Sequence, residues 1–147
     1  MIEFHKVSKI GIGTYRMSFK NKEHINSLHY AIDNNINLID TSSNYLFGDS
    51  EILVGNLFEH IDRHKLFIIT KAGYIQWNDL SRFSGNLNDD MTIKINESFY
   101  YSISKHFLGF QIKASLKRLK TDYIDGFLLH NPEYYCHAPL LTWLRWQ

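Results

Sequence analysis

The chain has 147 residues, a hydrophobic fraction of 44% and a formal net charge of +1. That is enough for one domain with a packed core, and it excludes the basic stripe of a nucleic-acid binder. The single cysteine, Cys136, excludes an internal disulfide, and with no secretory leader and no apolar run of the ~20 residues that span a bilayer, the expected setting is the cytoplasm.

In chain order, Lys9-Ile10-Gly11-Ile12-Gly13-Thr14 reads as a short strand running into a glycine turn. A helical pattern follows, with Ile25, Leu28 and Ile32 at i, i+3 and i+7, and Asn34-Asn35 ends it. The second strand spans 37–40. The second helix starts at about 49–51, where Asp49 or Ser50 can cap it, with Leu53 and Leu57 facing inward. The third strand spans 66–71.

Over 74–103 the sequence is rich in Asn, Asp, Ser and aromatics, with no clear period. That predicts a long loop or lid, poorly ordered without ligand, at the mouth of the third strand. Ser104 reads as the N-cap of a third helix. Leu108, Ile112, Leu116 and Leu119 form its apolar stripe, and Lys113, Lys117, Arg118 and Lys120 its wet side. The fourth strand spans 123–130, closed by Asn131-Pro132. The order βαβαβαβ gives parallel strands joined by right-handed, helix-forming crossovers.

Three of the apolar runs end on an ionisable residue: Asp40, Lys71 and His130. Short runs of this type read as strands buried on both faces of a parallel sheet, and residues past their C-terminal ends converge on the mouth where such folds do chemistry. Tyr45 follows Asp40 by one short loop. A tyrosine gives up its proton more readily beside an ammonium, which stabilises the phenolate. A buried lysine needs a counter-charge, and Asp40 can supply it to Lys71. A neutral His130 could donate to the same carbonyl oxygen that Tyr45 protonates. Such a set suits carbonyl reduction.

Asp40-Thr41-Ser42-Ser43-Asn44-Tyr45-Leu46-Phe47-Gly48-Asp49-Ser50-Glu51, followed by Val54-Gly55, resembles the first signature of the aldo-keto reductases. Ile68-Ile69-Thr70-Lys71 is similar to that family's lysine strand, and Gly11-Ile12-Gly13-Thr14 to its opening strand. Ser115-Leu116-Lys117-Arg118-Leu119, Thr121-Asp122-Tyr123-Ile124-Asp125 and Leu128-Leu129-His130 resemble the segment leading to its active-site histidine. The resemblance covers roughly residues 7–135.

It implies an α/β fold, the N-terminal half of a (β/α)8 TIM barrel with parallel strands and crossover helices. It also implies reduction of a small aldehyde or ketone with NADP(H). Asp40, Tyr45, Lys71 and His130 match the family's catalytic tetrad, with Tyr45 as proton donor. Thr14, Tyr15 and Asp40 match positions near the nicotinamide end of the cofactor. A whole barrel of this kind takes about 250 residues. The domain reading is therefore a partial barrel over 1–135 and an atypical tail over 136–147, with most of the cofactor site missing. The competing reading is a non-catalytic half-barrel, a degenerate product or a subunit that needs a partner half.

No metal is expected. His60 and His64 have i, i+4 spacing but read as a solvated helix end with no third ligand. Gly11-Ile12-Gly13 lacks the third glycine of a dinucleotide loop. Neither a nucleic acid nor a membrane is expected as a partner. Self-association through exposed sheet edges is expected instead.

Overall fold

Strands of three or four residues hold a parallel sheet only when they are paired in register side by side. In the computed structural model, which describes residues 4–76, 79, 81–85, 87, 90–96 and 99–136, they are. Strands β1 (Gly11–Gly13), β2 (Leu38–Asp40), β3 (Phe67–Ala72) and β7 (Gly126–Leu129) pair in the order β1-β2-β3-β7, all parallel. Ile12 lies beside Ile39, and Ile39 beside Ile68. Helices α1 (Lys22–Asp33), α2 (Asp49–Asn56) and α3 (Lys105–Arg118) form the crossovers. This is the N-terminal half of a (β/α)8 barrel. The short α4 (Glu133–Cys136) follows β7. The tail expected over 136–147 lies outside the described residues beyond Cys136.

The core is one-sided. Ile39 and Ile68 are fully buried with Leu28 of α1, Leu53 and Val54 of α2, and Leu57, Leu66 and Leu119. Along β3 buried and half-buried residues alternate. The expectation of strands buried on both faces is thus corrected. One face lies under helices, while the other faces the barrel axis, which four strands cannot fill. Leu128, on β7 beside Lys71, is 48% exposed.

Capping follows the sequence reading at α3 and departs from it at α2, while α1 has a cap that the sequence reading did not name. Asn21 accepts from Glu23 N at the start of α1 (2.8 Å), and Ser104 accepts from Phe107 N at the start of α3 (3.3 Å). At α2 the N-cap is Gly48, at φ 94°, with no side-chain cap. The two residues expected to cap it are used elsewhere. Ser50 Oγ donates to the carbonyls of Thr14 (3.0 Å) and Met17 (2.7 Å), and Asp49 accepts from Ser18 Oγ and Lys20 Nζ. Both thereby tie α2 to the loop after β1. Further along α2, a Cβ on Gly55 would collide with the Arg118 carbonyl, so glycine lets α2 and the end of α3 touch.

The loop predicted over 74–103 is corrected as well. It carries a three-stranded antiparallel sheet of β4 (Tyr74–Ile75), β5 (Thr92–Asn96) and β6 (Phe99–Ser102), in the order β4-β6-β5. Aromatic contacts hold it: Tyr74 stands edge-on to both Phe99 (5.8 Å) and Tyr101 (5.6 Å). The buried face of α3 also differs in part from the predicted stripe, of which Leu119, just past the helix end, is fully buried. Phe107, Gln111 and Ser115 are buried, whereas Ile112 is 36% exposed. Gln111 Nε2 donates to Asp79 Oδ2 (2.8 Å), and Phe107 packs on Phe83 (ring centroids 5.4 Å). A polar partner and an aromatic one across the interface outweigh the aliphatic count on the neighbouring stripe. No helix among the described residues is long and apolar enough to cross a membrane.

Candidate active site

Asp40 ends β2, Lys71 lies near the end of β3, and His130 follows β7, so the parallel register brings all three to one rim. Thr14 fixes the height of Asp40. It is fully buried, and both its backbone N–H (2.9 Å) and its hydroxyl (3.2 Å) donate to the Asp40 carbonyl. The Lys71 ammonium donates to Asp40 Oδ1 (2.6 Å), the Thr41 carbonyl (2.8 Å) and Tyr45 Oη (3.4 Å). Its three protons are therefore all directed at oxygen.

Tyr45 opens a turn, Tyr45–Gly48, in which Leu46 and Phe47 take left-handed φ values of 46° and 57°. Residues other than glycine in that region cost roughly 1–3 kcal/mol each, and such strain persists where surrounding contacts over-determine it. The turn leaves the Tyr45 ring 5.1 Å from the Lys71 nitrogen. The His130 ring stands edge-on to Tyr45 at 5.7 Å, nearly perpendicular at 84°. Tyr15, 62% exposed, stands edge-on to the other side of Tyr45 at 5.2 Å.

All four residues of the predicted tetrad thus meet, and Tyr15 joins them at the open side. Sequence reasoning did not find the groups behind His130. Ser42 Oγ lies 2.9 Å from His130 Nδ1 and donates to Asn44 Oδ1 (2.6 Å). Gln76 Nε2 donates to the Asn44 carbonyl (3.0 Å), and Tyr74 packs edge-on to His130 at 5.2 Å. Ser42 and Asn44 lie inside the quoted motif, but nothing local links them to a histidine 88 residues away.

Burial first, and then the Lys71 ammonium, lower the pKa of His130; Asp40 and Glu133 oppose this. The imidazole is therefore neutral at pH 7. Replacing Lys71 by Met is expected to raise the His130 titration midpoint, since a repelling charge is removed and Asp40 is left uncompensated. The 15N NMR titration of His130 measures it, and a midpoint that stays put or falls would remove Lys71 from the account. Burial, followed by the contact with Tyr134, raises the pKa of Tyr74, which keeps that neighbour of His130 a neutral phenol.

Among the described residues no group of three His, Cys, Asp or Glu could hold a metal ion. His64, one of the two histidines at i, i+4 spacing, lies 3.0 Å from Tyr123 Oη through Nδ1 and stacks on that ring.

A parallel βα half-barrel thus gathers a tyrosine, a lysine, an aspartate and a histidine at its C-terminal rim, the end where barrels of this class place their sites. The comparisons with known proteins agree. The model of the aldo/keto reductase family matches residues 9–144. An uncharacterised oxidoreductase of Bacillus subtilis, YqkF, is 33% identical over 124 residues, covering 84% of this chain and 35% of the relative. An NADH-specific methylglyoxal reductase of Escherichia coli is 33% identical over 95 residues, covering 65% of this chain and 27% of that protein. Among solved structures, an aldo-keto reductase from Bacillus halodurans in its holo form superposes with a TM-score of 0.65 at 26% identity, over 84% of this chain and 36% of that one. The chain belongs to the aldo/keto reductase family, and it spans about a third of the length of the curated relatives it matches.

Proposed function

We propose that this chain carries the proton-transfer side of a carbonyl reductase that acts on a small aldehyde or ketone with NADP(H), in the reducing setting of the cytoplasm. The observation that carries the reading is the Lys71–Tyr45 contact. The phenol oxygen accepts from an ammonium that Asp40 neutralises (3.4 and 2.6 Å), so its own proton is free to be given. Tyr45 donates that proton to the substrate oxygen, and Lys71 stabilises the phenolate left behind. The Asp40 carboxylate holds the Lys71 side chain in place (2.6 Å). The His130 ring, edge-on to Tyr45, orients the substrate oxygen.

A nicotinamide cofactor, when bound, supplies hydride to the carbonyl carbon. The residues present fit its reactive end. The Asp40 side chain is 40% exposed and Tyr15 presents an open ring on the same rim, with Thr14 beneath them holding Asp40. Tyr15 and Asp40 would contact the group and Thr14 would support it. Most of the cofactor's grip is assigned to a second half-barrel. A relative is named as NADH-specific, and a solved Klebsiella pneumoniae aldo-keto reductase holds NADPH, so both cofactors belong in the test.

The second reading, a half-barrel inert by itself, is favoured by the span of about a third of the relatives' length. Consumption of NADPH and of NADH with small aldehydes separates the two. It is followed for the chain alone and for the chain co-expressed with the last four βα units of a relative. Turnover is expected only in the second case, and Tyr45→Phe is expected to lower it by about 10²–10⁴-fold. A well-folded reconstituted barrel without turnover would support the inert reading.

A further inference from the structure

Tyr45 and His130, the two groups assigned to the substrate oxygen, come from different βα units, and one short segment touches both. The chain leaves β3 through Gly73, whose φ of 138° suits glycine and whose missing Cβ makes room for the Tyr101 ring. Along the extended chain that follows, Tyr74 and Gln76 are two residues apart and share a face, while Ile75 between them is fully buried. The Tyr74 ring stands edge-on to His130 at 5.2 Å. Gln76 Nε2 donates to the carbonyl of Asn44, the residue before Tyr45, at 3.0 Å. That carbonyl can only accept, so the Gln76 amide must turn its NH2 toward it.

We infer that Gln76 and Tyr74 are positioning residues, a clamp from the 74–103 sheet that sets where Tyr45 and His130 stand relative to one another. The role rests on the carbonyl-reductase reading of Tyr45 and His130, whereas the contacts stand without it. A proton donor and an orienting group that share one substrate oxygen must keep a fixed separation. A misplacement of ~1 Å costs about 10²-fold in rate.

Both ends of the clamp are anchored away from the rim. Phe99 and Tyr101 of β6 hold the Tyr74 ring edge-on, at 5.8 and 5.6 Å. Asp79 Oδ2 accepts from the Gln76 N–H (3.4 Å) and from Gln111 Nε2 of α3 (2.8 Å). Gln76 is 8% exposed, so water has little access to its bond with Asn44. That bond also bears on strain. Leu46 and Phe47, just beyond Tyr45, hold left-handed φ values that persist where neighbouring contacts over-determine them. The bond to the Asn44 carbonyl is one such contact.

The test places 3-fluorotyrosine at position 45 of the 147-residue chain and reads its 19F NMR signal, in solution or in the sedimented protein. It needs neither cofactor nor turnover. A second sample carries the label in place of Tyr123, which stacks on His64 at the opposite end of the strands. Gln76→Glu keeps the size and exchanges the donor for a carboxyl, which donates when neutral and repels the carbonyl when ionised. Its signal from position 45 is expected to match the wild type in acid. It is expected to depart from the wild type at the same pH once the carboxyl ionises, from about pH 4 if exposed and later if buried. Acid is expected to restore it, with the signal from position 123 unmoved throughout. Gln76→Met has no donor and is expected to displace the position 45 signal at every pH. Tyr74→Leu frees the His130 ring, which faces Tyr45 at 5.7 Å, and is expected to displace or broaden that signal. In the reconstituted barrel Gln76→Met is expected to lower kcat by about 10–10²-fold and to leave KM for the aldehyde little changed. A Gln76→Glu signal that follows the wild type across the pH range overturns the inference. So does a position 123 signal that moves in step with position 45, which would make Gln76 a support of the whole fold. An unmoved signal in Tyr74→Leu removes Tyr74 from the clamp. Because the clamp is read without turnover, an inactive barrel counts against carbonyl reduction and leaves this result standing.

Discussion

Replacing Arg118 by Met is expected to destabilise the chain by about 3–5 kcal/mol, the cost of leaving a buried charge without its partner. Glu51 is fully buried at the heart of α2, and its Oε2 lies 2.6 Å from Arg118 Nε at the end of α3. Its other oxygen accepts from the buried Thr70 hydroxyl of β3 (2.5 Å). One carboxylate thus joins α2, α3 and β3. Arg118 is itself held by Ser115 Oγ (3.2 Å), and its side chain fills the space beside Gly48, where a Cβ would meet Arg118 Cδ at 2.7 Å. Domains of this size are stable by roughly 5–15 kcal/mol, so the loss approaches global unfolding. Glu51→Gln keeps the Thr70 contact and removes the charge, so it is expected to cost less. The double variant is expected to be more stable than Arg118→Met alone, since the orphaned carboxylate is gone. Urea denaturation of the three variants reads all of this. An Arg118→Met midpoint close to wild type would show that the pair holds little of the fold together.

The second large effect is association. Among the described residues, the sheet β1-β2-β3-β7 leaves β1 and β7 each unpaired on one side, and unpaired strand edges recruit other chains. Apolar side chains stand at or near these edges: Ile10 before β1, and Leu128 and Leu129 on β7, are all exposed. Each Å² of such surface left in water forgoes about 25 cal/mol of burial. The 147-residue chain by itself is therefore expected to sediment as dimers or larger species in analytical ultracentrifugation. Leu129→Lys places a charge on the β7 edge and is expected to raise the monomer fraction. A monodisperse monomer that melts cooperatively and reduces an aldehyde would contradict this. It would mean that half a barrel closes its own edges well enough to work.

The sequence alone determined the sheet and its rim. Apolar runs ending on Asp40, Lys71 and His130 are local signals, and parallel strands must bring their C-terminal ends to one side whatever the details of packing. The tetrad was legible for that reason. The one-sided burial of the strands was not, because burial depends on what covers a face, and four strands leave the axial face open. Nor was the buried face of α3. Two stripes of that helix compete, and Asp79 and Phe83 across the interface decide for Phe107 and Gln111. The sheet over 74–103 escaped because its strands are short and held by Tyr74, Phe99 and Tyr101 meeting edge to edge, which leaves no period to read. Ser50 looks like a cap and instead binds the carbonyls of Thr14 and Met17. Ser42 reaches His130 across 88 residues. A hydroxyl has no local pattern that names its partner. The distance between two side chains is a property of the fold, and only the packed structure decides it.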